Sequence, residues 1–152
     1  MWSYKISPSN TEFLILGGTY SAESQSTSEF VNLNGSTVGP LLPRKFFYHC
    51  MAKFDDTKII ITGGGPEYTE ETFIVDTISD FEITPGPNMQ TKRYLHACSS
   101  FVYEGEKVVI VAGGYDYVDG LNETPLDSTE LCDLRNAVCI SGRPNHFCLR
   151  NN

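Results

Sequence analysis

Long apolar runs are missing from this chain. The longest are about half a dozen residues, against the ~20 that a membrane-spanning helix needs, so no such helix is expected. Basic clusters are missing too: 11 Lys and Arg stand against 19 Asp and Glu, the formal net charge is -8, and the arginines are scattered. Nucleic acids and anionic membrane surfaces reward clustered cations, so neither is an expected partner. The opening stretch Met1-Trp2-Ser3-Tyr4-Lys5-Ile6-Ser7-Pro8 has no apolar core of signal-peptide length, which points to the cytoplasm if Met1 is the native start. No window combines a 3.6-residue apolar period with caps, so no helix is expected. At 152 residues the chain has the size of one domain able to bury a core.

What is present is a threefold repeat. Phe13-Leu14-Ile15-Leu16-Gly17-Gly18 matches Ile59-Ile60-Ile61-Thr62-Gly63-Gly64 and Val109-Ile110-Val111-Ala112-Gly113-Gly114, the glycine pairs recurring 46 and then 50 residues apart. Upstream, Tyr48-His49-Cys50-Met51-Ala52-Lys53-Phe54 answers Leu95-His96-Ala97-Cys98-Ser99-Ser100-Phe101, and Asn145-His146-Phe147-Cys148 begins another copy. Arg44, Arg93 and Arg143 precede the three histidines. Downstream, Ser28-Glu29-Phe30-Val31-Asn32, Thr72-Phe73-Ile74-Val75-Asp76 and Thr129-Glu130-Leu131-Cys132-Asp133 match residue for residue. Short runs rich in β-branched and aromatic residues, bounded by Gly, Pro, Asn or Asp, read as strands. Asn34-Gly35 between Val31 and Val38 predicts a type I′ hairpin, with Arg135-Asn136 at the matching place. Each repeat is therefore expected to form four short antiparallel strands.

Together these markers resemble the kelch repeat, whose period is about 50 residues. The shared features are the Arg and His region of the first strand, the Gly-Gly ending the second and the acid ending the third. The resemblance implies an all-β fold: a partial kelch-type β-propeller of about three four-stranded antiparallel blades, too few to close alone, since closed propellers have ~4–8. The chain would be a single kelch-repeat region. Blade A would supply strands two to four over about 10–42, blade B would span about 43–90, blade C about 91–142, and 143–152 would start a further blade. Kelch repeats usually carry Tyr before the acid and Trp on the fourth strand. Here Val31, Val75 and Cys132 replace the Tyr, and Val38, Phe81 and Cys139 lie at or near the Trp position. Either the chain is a fragment of a longer propeller protein, the preferred reading, or two copies form a homodimer that completes a six-bladed ring.

Gly63-Gly64-Gly65 lacks the Lys-Ser/Thr and the following helix of a phosphate-binding loop, so its glycines are expected to be structural. His49-Cys50, His96 with Cys98 and His146 with Cys148 are soft-metal ligand types. Their spacing follows the repeat rather than the close ligand pairs of zinc sites, so no metal or other cofactor is expected. Cys132 and Cys139 are expected to face each other across a hairpin with Cα atoms ~4.5–5.5 Å apart, within reach of a disulfide. Two buried thiols are the alternative. Asn34-Gly35-Ser36 and Asn122-Glu123-Thr124 are glycosylation sequons that favour secretion, whereas five cysteines leave one unpaired.

No Ser/His/Asp or Cys/His catalytic set stands out, and Glu67, Glu70, Glu71, Asp116 and Asp119 read as solvated loop carboxylates. The candidate binding-loop residues are Tyr20, Tyr68, Tyr115 and Tyr117, because tyrosine brings contact area and a polar tip at low entropy cost. The expected function is protein–protein interaction with an unknown protein partner. The alternative is a propeller segment of a secreted protein or enzyme of the kelch-like oxidase type.

Overall fold

The computed structural model describes residues 3–5, 13–20, 23–24, 26–118 and 122–142. Every regular element among them is a strand. β1 (Ser3–Lys5) pairs with β2 (Phe13–Leu16), a short ribbon of β3 (Thr19–Tyr20) and β4 (Glu23–Ser24) follows, and β5 (Ser28–Asn32) and β6 (Gly35–Val38) complete a four-stranded antiparallel sheet in the order β1-β2-β5-β6. The second sheet holds β7 (Cys50–Lys53), β8 (Lys58–Thr62), β9 (Thr72–Asp76) and β10 (Ile83–Pro85), each paired with the next. In the third, β11 (Ala97–Tyr103) and β12 (Glu106–Ala112) are followed by a ribbon of β13 (Tyr115–Val118) and β14 (Asn122–Pro125), then by β15 (Thr129–Asp133) and β16 (Val138–Gly142). Among the described residues no sheet closes on itself.

Three sequence expectations are corrected here. The first sheet has four strands rather than three, because Ser3–Lys5 pairs antiparallel with Phe13–Ile15. That segment is only three residues long and carries no Arg or His marker, so repeat matching passes over it. Tyr115 and Tyr117, expected in a loop, lie on a strand, since Tyr115–Val118 pairs with Asn122–Pro125. The first hairpin turns at Leu33-Asn34, with Asn32 opposite Gly35 and the Asn32 side chain accepting the Asn34 N–H at 2.8 Å. Val31 therefore faces Ser36, and Val38 faces Glu29 and lies 88% exposed rather than filling the core.

The three sheets are layered, and the central one buries both faces. Ile59, Ile61 and Val75 pack with Leu14, Leu16 and Phe30 of the first sheet. On its other side Ala52, Phe54 and Ile60 pack with Val109, Val111, Cys132 and Cys139 of the third. Successive strand residues point to opposite faces, so a strand covered on both sides must be apolar throughout. That requirement explains the unbroken Ile59-Ile60-Ile61, all at 1% exposure or less.

The glycine pairs end β2, β8 and β12, and each member has a separate task. The first donates its N–H to the residue just before the third strand of its own sheet: Gly17 to Thr27, Gly63 to Glu71 and Gly113 to Ser128, at 3.0–3.1 Å. The second reaches the segment leading into the next sheet, Gly18 to the Phe46 carbonyl at 2.7 Å and Gly64 to the Arg93 carbonyl at 2.8 Å. Backbone hydrogen bonds thus join sheet to sheet. Space differs within a pair. A Cβ on Gly114 (φ +85) would stand 2.6 Å from the Tyr94 carbonyl oxygen and 2.7 Å from the His96 Cβ, whereas on Gly113 (φ +62) its nearest neighbour would be 3.5 Å away. Gly114→Ala is therefore expected to lose about 2–4 kcal/mol, from the left-handed backbone and the clash together, and Gly113→Ala about 1 kcal/mol from the backbone alone. Urea titrations showing equal losses would contradict this assignment.

Candidate functional site

Connections from the second and third sheets meet through their tyrosines. In the loop after β8, the Thr69 N–H returns to the Gly64 carbonyl at 3.2 Å, and Tyr68 sits inside that turn at φ +43. In the ribbon after β12, Tyr117 stands opposite Glu123. Tyr94, on the segment entering the third sheet, exchanges both backbone hydrogen bonds with Tyr115, at 3.0 and 3.1 Å. The Tyr68 and Tyr117 rings stack, 4.9 Å apart and 7° from parallel. The Tyr94 ring lies 4.3 Å from Tyr68, 5.9 Å from Tyr115, and 6.3 Å from both Tyr48 and Tyr117. Phe47 closes the group, 5.0 Å from Tyr48 and 6.2 Å from Tyr68.

Tyr94 is the buried centre at 2% exposure, while Tyr48 and Tyr115 keep 46% and 37%. Its hydroxyl has no partner of hydrogen-bonding geometry, although the Glu123 carboxylate stands close enough to act on it. Burial first, and then that carboxylate, push the Tyr94 phenol well above the usual tyrosine value. Tyr68 is pushed up by burial, Tyr117 and Glu123 in that order. With Tyr68, two further non-glycine residues at this end adopt the left-handed region: Tyr48 at φ +55 and Leu95 at φ +54, which occupy the same place in successive repeats. The Leu95 N–H donates to the Tyr48 carbonyl at 2.9 Å. Such backbone costs about 1–2 kcal/mol per residue and persists only where its surroundings hold it.

Behind the tyrosines lie the two arginines of the repeat. Arg44 donates to the carbonyls of Gly65 at 2.9 Å and Gly63 at 3.1 Å, and its Nε is 3.4 Å from the Glu71 carboxylate. Arg93 donates to the Gly113 carbonyl at 3.0 Å and to Glu130 at 2.8 and 3.2 Å, with both side chains at 0% exposure. Each arginine thus pins the glycine pair that ends a second strand. A hollow of about 130 Å³ beside Arg44, lined also by Lys45, Pro66, Glu67, Thr69 and Glu71, is smaller than the ~300–1,000 Å³ of small-molecule sites.

His49 and His96 are both 2% exposed. Nε2 of His96 is 2.8 Å from the Thr62 hydroxyl, and its Nδ1 has no partner. A proton on Nε2 leaves a bare lone pair buried at Nδ1, which is cheaper than an unpaired N–H. The repeat position of Thr62 is held by Leu16 one sheet earlier, so no hydroxyl stands at the matching place for His49, and neither of its ring nitrogens has a partner. Burial first, then Arg44 for His49 and Arg93 for His96, lowers each imidazole to about 4. These are neutral interior histidines out of reach of a substrate.

Cys50 and Cys98 are joined in a disulfide across β7 and β11, the first strands of neighbouring sheets, with Cα atoms 5.9 Å apart. Cys132 and Cys139 are directly opposite on β15 and β16 and form a second, with Cα atoms 4.0 Å apart. Repeat matching conceals the first bridge, because Cys50 aligns with Ala97 and Cys98 with Met51. Among the described residues no group of three His, Cys, Asp or Glu has metal-holding geometry. Arg143, His146 and Cys148 lie outside the described residues, as does the side chain of Tyr20 on β3.

Of the four tyrosines singled out in the sequence, Tyr68, Tyr115 and Tyr117 come together. Tyr115 is exposed, whereas Tyr68 and Tyr117 are half-buried against each other. Phe47, Tyr48, Tyr94 and Glu123 were not anticipated. The signal for the first three is the repeat itself, which sets aromatic Phe46-Phe47-Tyr48 against Arg93-Tyr94-Leu95 ahead of each histidine. Glu123 carries no such signal, being one acid in a loop that varies between copies. No protein-family model matches the chain, and no curated protein matches it significantly.

Proposed function

We propose that the chain is a protein-interaction module whose three sheets are consecutive blades of a kelch-type β-propeller. The blade reading is supported by the repeated strand order, by the glycine bonds from each sheet to the next, and by the same layering on both sides of the central sheet. Apolar residues on the outermost sheets, Phe13 at 43% exposure and Ile140 at 56%, fit blades drawn from a longer propeller. Two copies in one six-bladed ring are the alternative, which a native mass of a single chain would dispose of.

The observation that carries the interaction reading is the tyrosine cluster, a large aromatic surface held on strained, well-fixed backbone. A photo-crosslinking amino acid at position 117 is expected to capture partner protein in cells, and the same group at Ile78, exposed at the opposite end of the second sheet, is not. Equal labelling at both positions would sink this reading.

The two disulfides favour a second statement, that the chain works in an oxidising compartment. A non-reducing peptide map of protein from its native source is expected to contain the 50–98 and 132–139 cross-links. Free thiols at those positions would return it to a reducing one.

A further inference from the structure

Glu123 is the charged group that acts on both Tyr68 and Tyr94, and it stands beside Tyr117 on the paired ribbon. It is exposed and has no ion-pair partner among the described residues. Tyr94 adds a second feature: a hydroxyl with no partner of hydrogen-bonding geometry, on a side chain 98% removed from solvent, with that same carboxylate close enough to act on it. The hydroxyl oxygen offers unfilled lone pairs and the carboxylate only accepts, so what the two have in common is the want of a donor. The ring faces of Tyr68 and Tyr117 are electron-rich, and the face of such a ring attracts a cation. A buried acceptor, an unpaired carboxylate and a stacked aromatic pair call for one complementary group, a planar cation with several N–H donors. A guanidinium meets all three demands. An ammonium is compact and strongly hydrated, and cannot lie flat on the stack while it donates to both oxygens.

We propose that this patch receives an arginine side chain of a protein partner, lying over the Tyr68/Tyr117 pair with its N–H groups on Glu123 and the Tyr94 hydroxyl. The proposal rests on the interaction reading above and gives its partner a chemistry, and it agrees in sign with a chain of net charge -8.

The test follows the tyrosine ring resonances of the full chain while acetyl-arginine amide is added at millimolar concentrations. Acetyl-citrulline amide, of the same shape but neutral, and acetyl-lysine amide are the comparison probes. Saturable shifts at Tyr68 and Tyr117 are expected for arginine, about fivefold weaker for lysine and for citrulline. Glu123→Gln is expected to weaken the arginine response about fivefold, and Glu82→Gln, at the other end of the second sheet, to leave it unchanged. Citrulline acting as well as arginine, no saturable response to arginine, or an arginine response indifferent to Glu123→Gln would each overturn the proposal. If cross-linking at position 117 still captures a protein, only the arginine assignment falls. If it captures none, the interaction reading falls with it.

Discussion

Arg93→Met is expected to cost about 3–5 kcal/mol of unfolding free energy, because it strands a buried charge. Glu130 would keep its N–H donors from Gln90, at 2.5 Å, and Thr91, at 3.1 Å, but would lose its only counter-ion among the described residues. The carbonyls of Gly113 and Ser128 would lose their guanidinium donor as well. The adjacent repeat shows how the same place is filled without charge. Arg93 and Glu130 occupy the positions that Phe46 and Phe73 hold one repeat earlier, where the two rings meet edge to face 5.4 Å apart. Arg44 then supplies the guanidinium from two residues upstream, 4.3 Å above the Phe46 ring. A buried ion pair can be exchanged for apolar residues with little loss, whereas removing one partner cannot.

Arg93→Met with Glu130→Leu is accordingly expected to lose less than the sum of the single changes. It will not return to the parent stability, since the N–H groups of Gln90 and Thr91 would then lack an acceptor. Urea unfolding of the four proteins gives the coupling directly. Strict additivity would mean that the pair acts only through separate contacts with the backbone.

The repeat made the strand composition legible. Ile59-Ile60-Ile61 reads as a strand buried on both faces, and it is one, because burial on two sides leaves no polar position to confuse the pattern. The glycine pairs read as structural from their lack of a following helix and lysine, and their φ values near +60 to +110, with backbone packed against Gly17, Gly63, Gly64 and Gly114, give the reason. What stayed hidden depends on register between copies. Cys50 and Cys98 are one position out of step in the alignment, so only the side-by-side placement of β7 and β11 brings them together. The Arg93–Glu130 pair is hidden in the same way, since repeat matching records identities and these positions differ from Phe46 and Phe73. The tyrosines were legible one by one as loop residues. Their convergence on Tyr94 required the fold of two sheets, and Glu123 could be recognised only through what it stands beside.

Mild acid is expected to destabilise the fold through the two interior histidines. Each has a native value of about 4 against an ordinary 6.5, mainly because burial penalises the imidazolium. Above pH 6.5 the imidazoles are neutral in both folded and unfolded chains, and their contribution to stability is fully present. As pH falls from 6.5 toward 4 the unfolded chain takes up protons that the native one refuses, so stability declines by up to about 1.4 kcal/mol per pH unit for each histidine. The loss amounts to about 3 kcal/mol per histidine by pH 4 and levels off below it, where both states are protonated. Asp55 and Asp133 do not share this window. Hydrogen bonds from Thr57 hold Asp55, and those from Arg135 and Asn136 hold Asp133, below their usual value of 3.8 despite the opposing effect of burial, so their protonation lowers stability only under more acidic conditions. His49→Leu removes one titrating group without stranding a partner, because neither ring nitrogen of His49 is hydrogen-bonded. It should halve the slope of stability between pH 6.5 and 4.5. His96→Leu should halve it too, but at lower overall stability, because the Thr62 hydroxyl loses the imidazole nitrogen 2.8 Å away. A stability profile flat across that interval, or a slope unchanged in His49→Leu, would show that the imidazoles are solvated and that this inner layer opens far more readily than its packing implies.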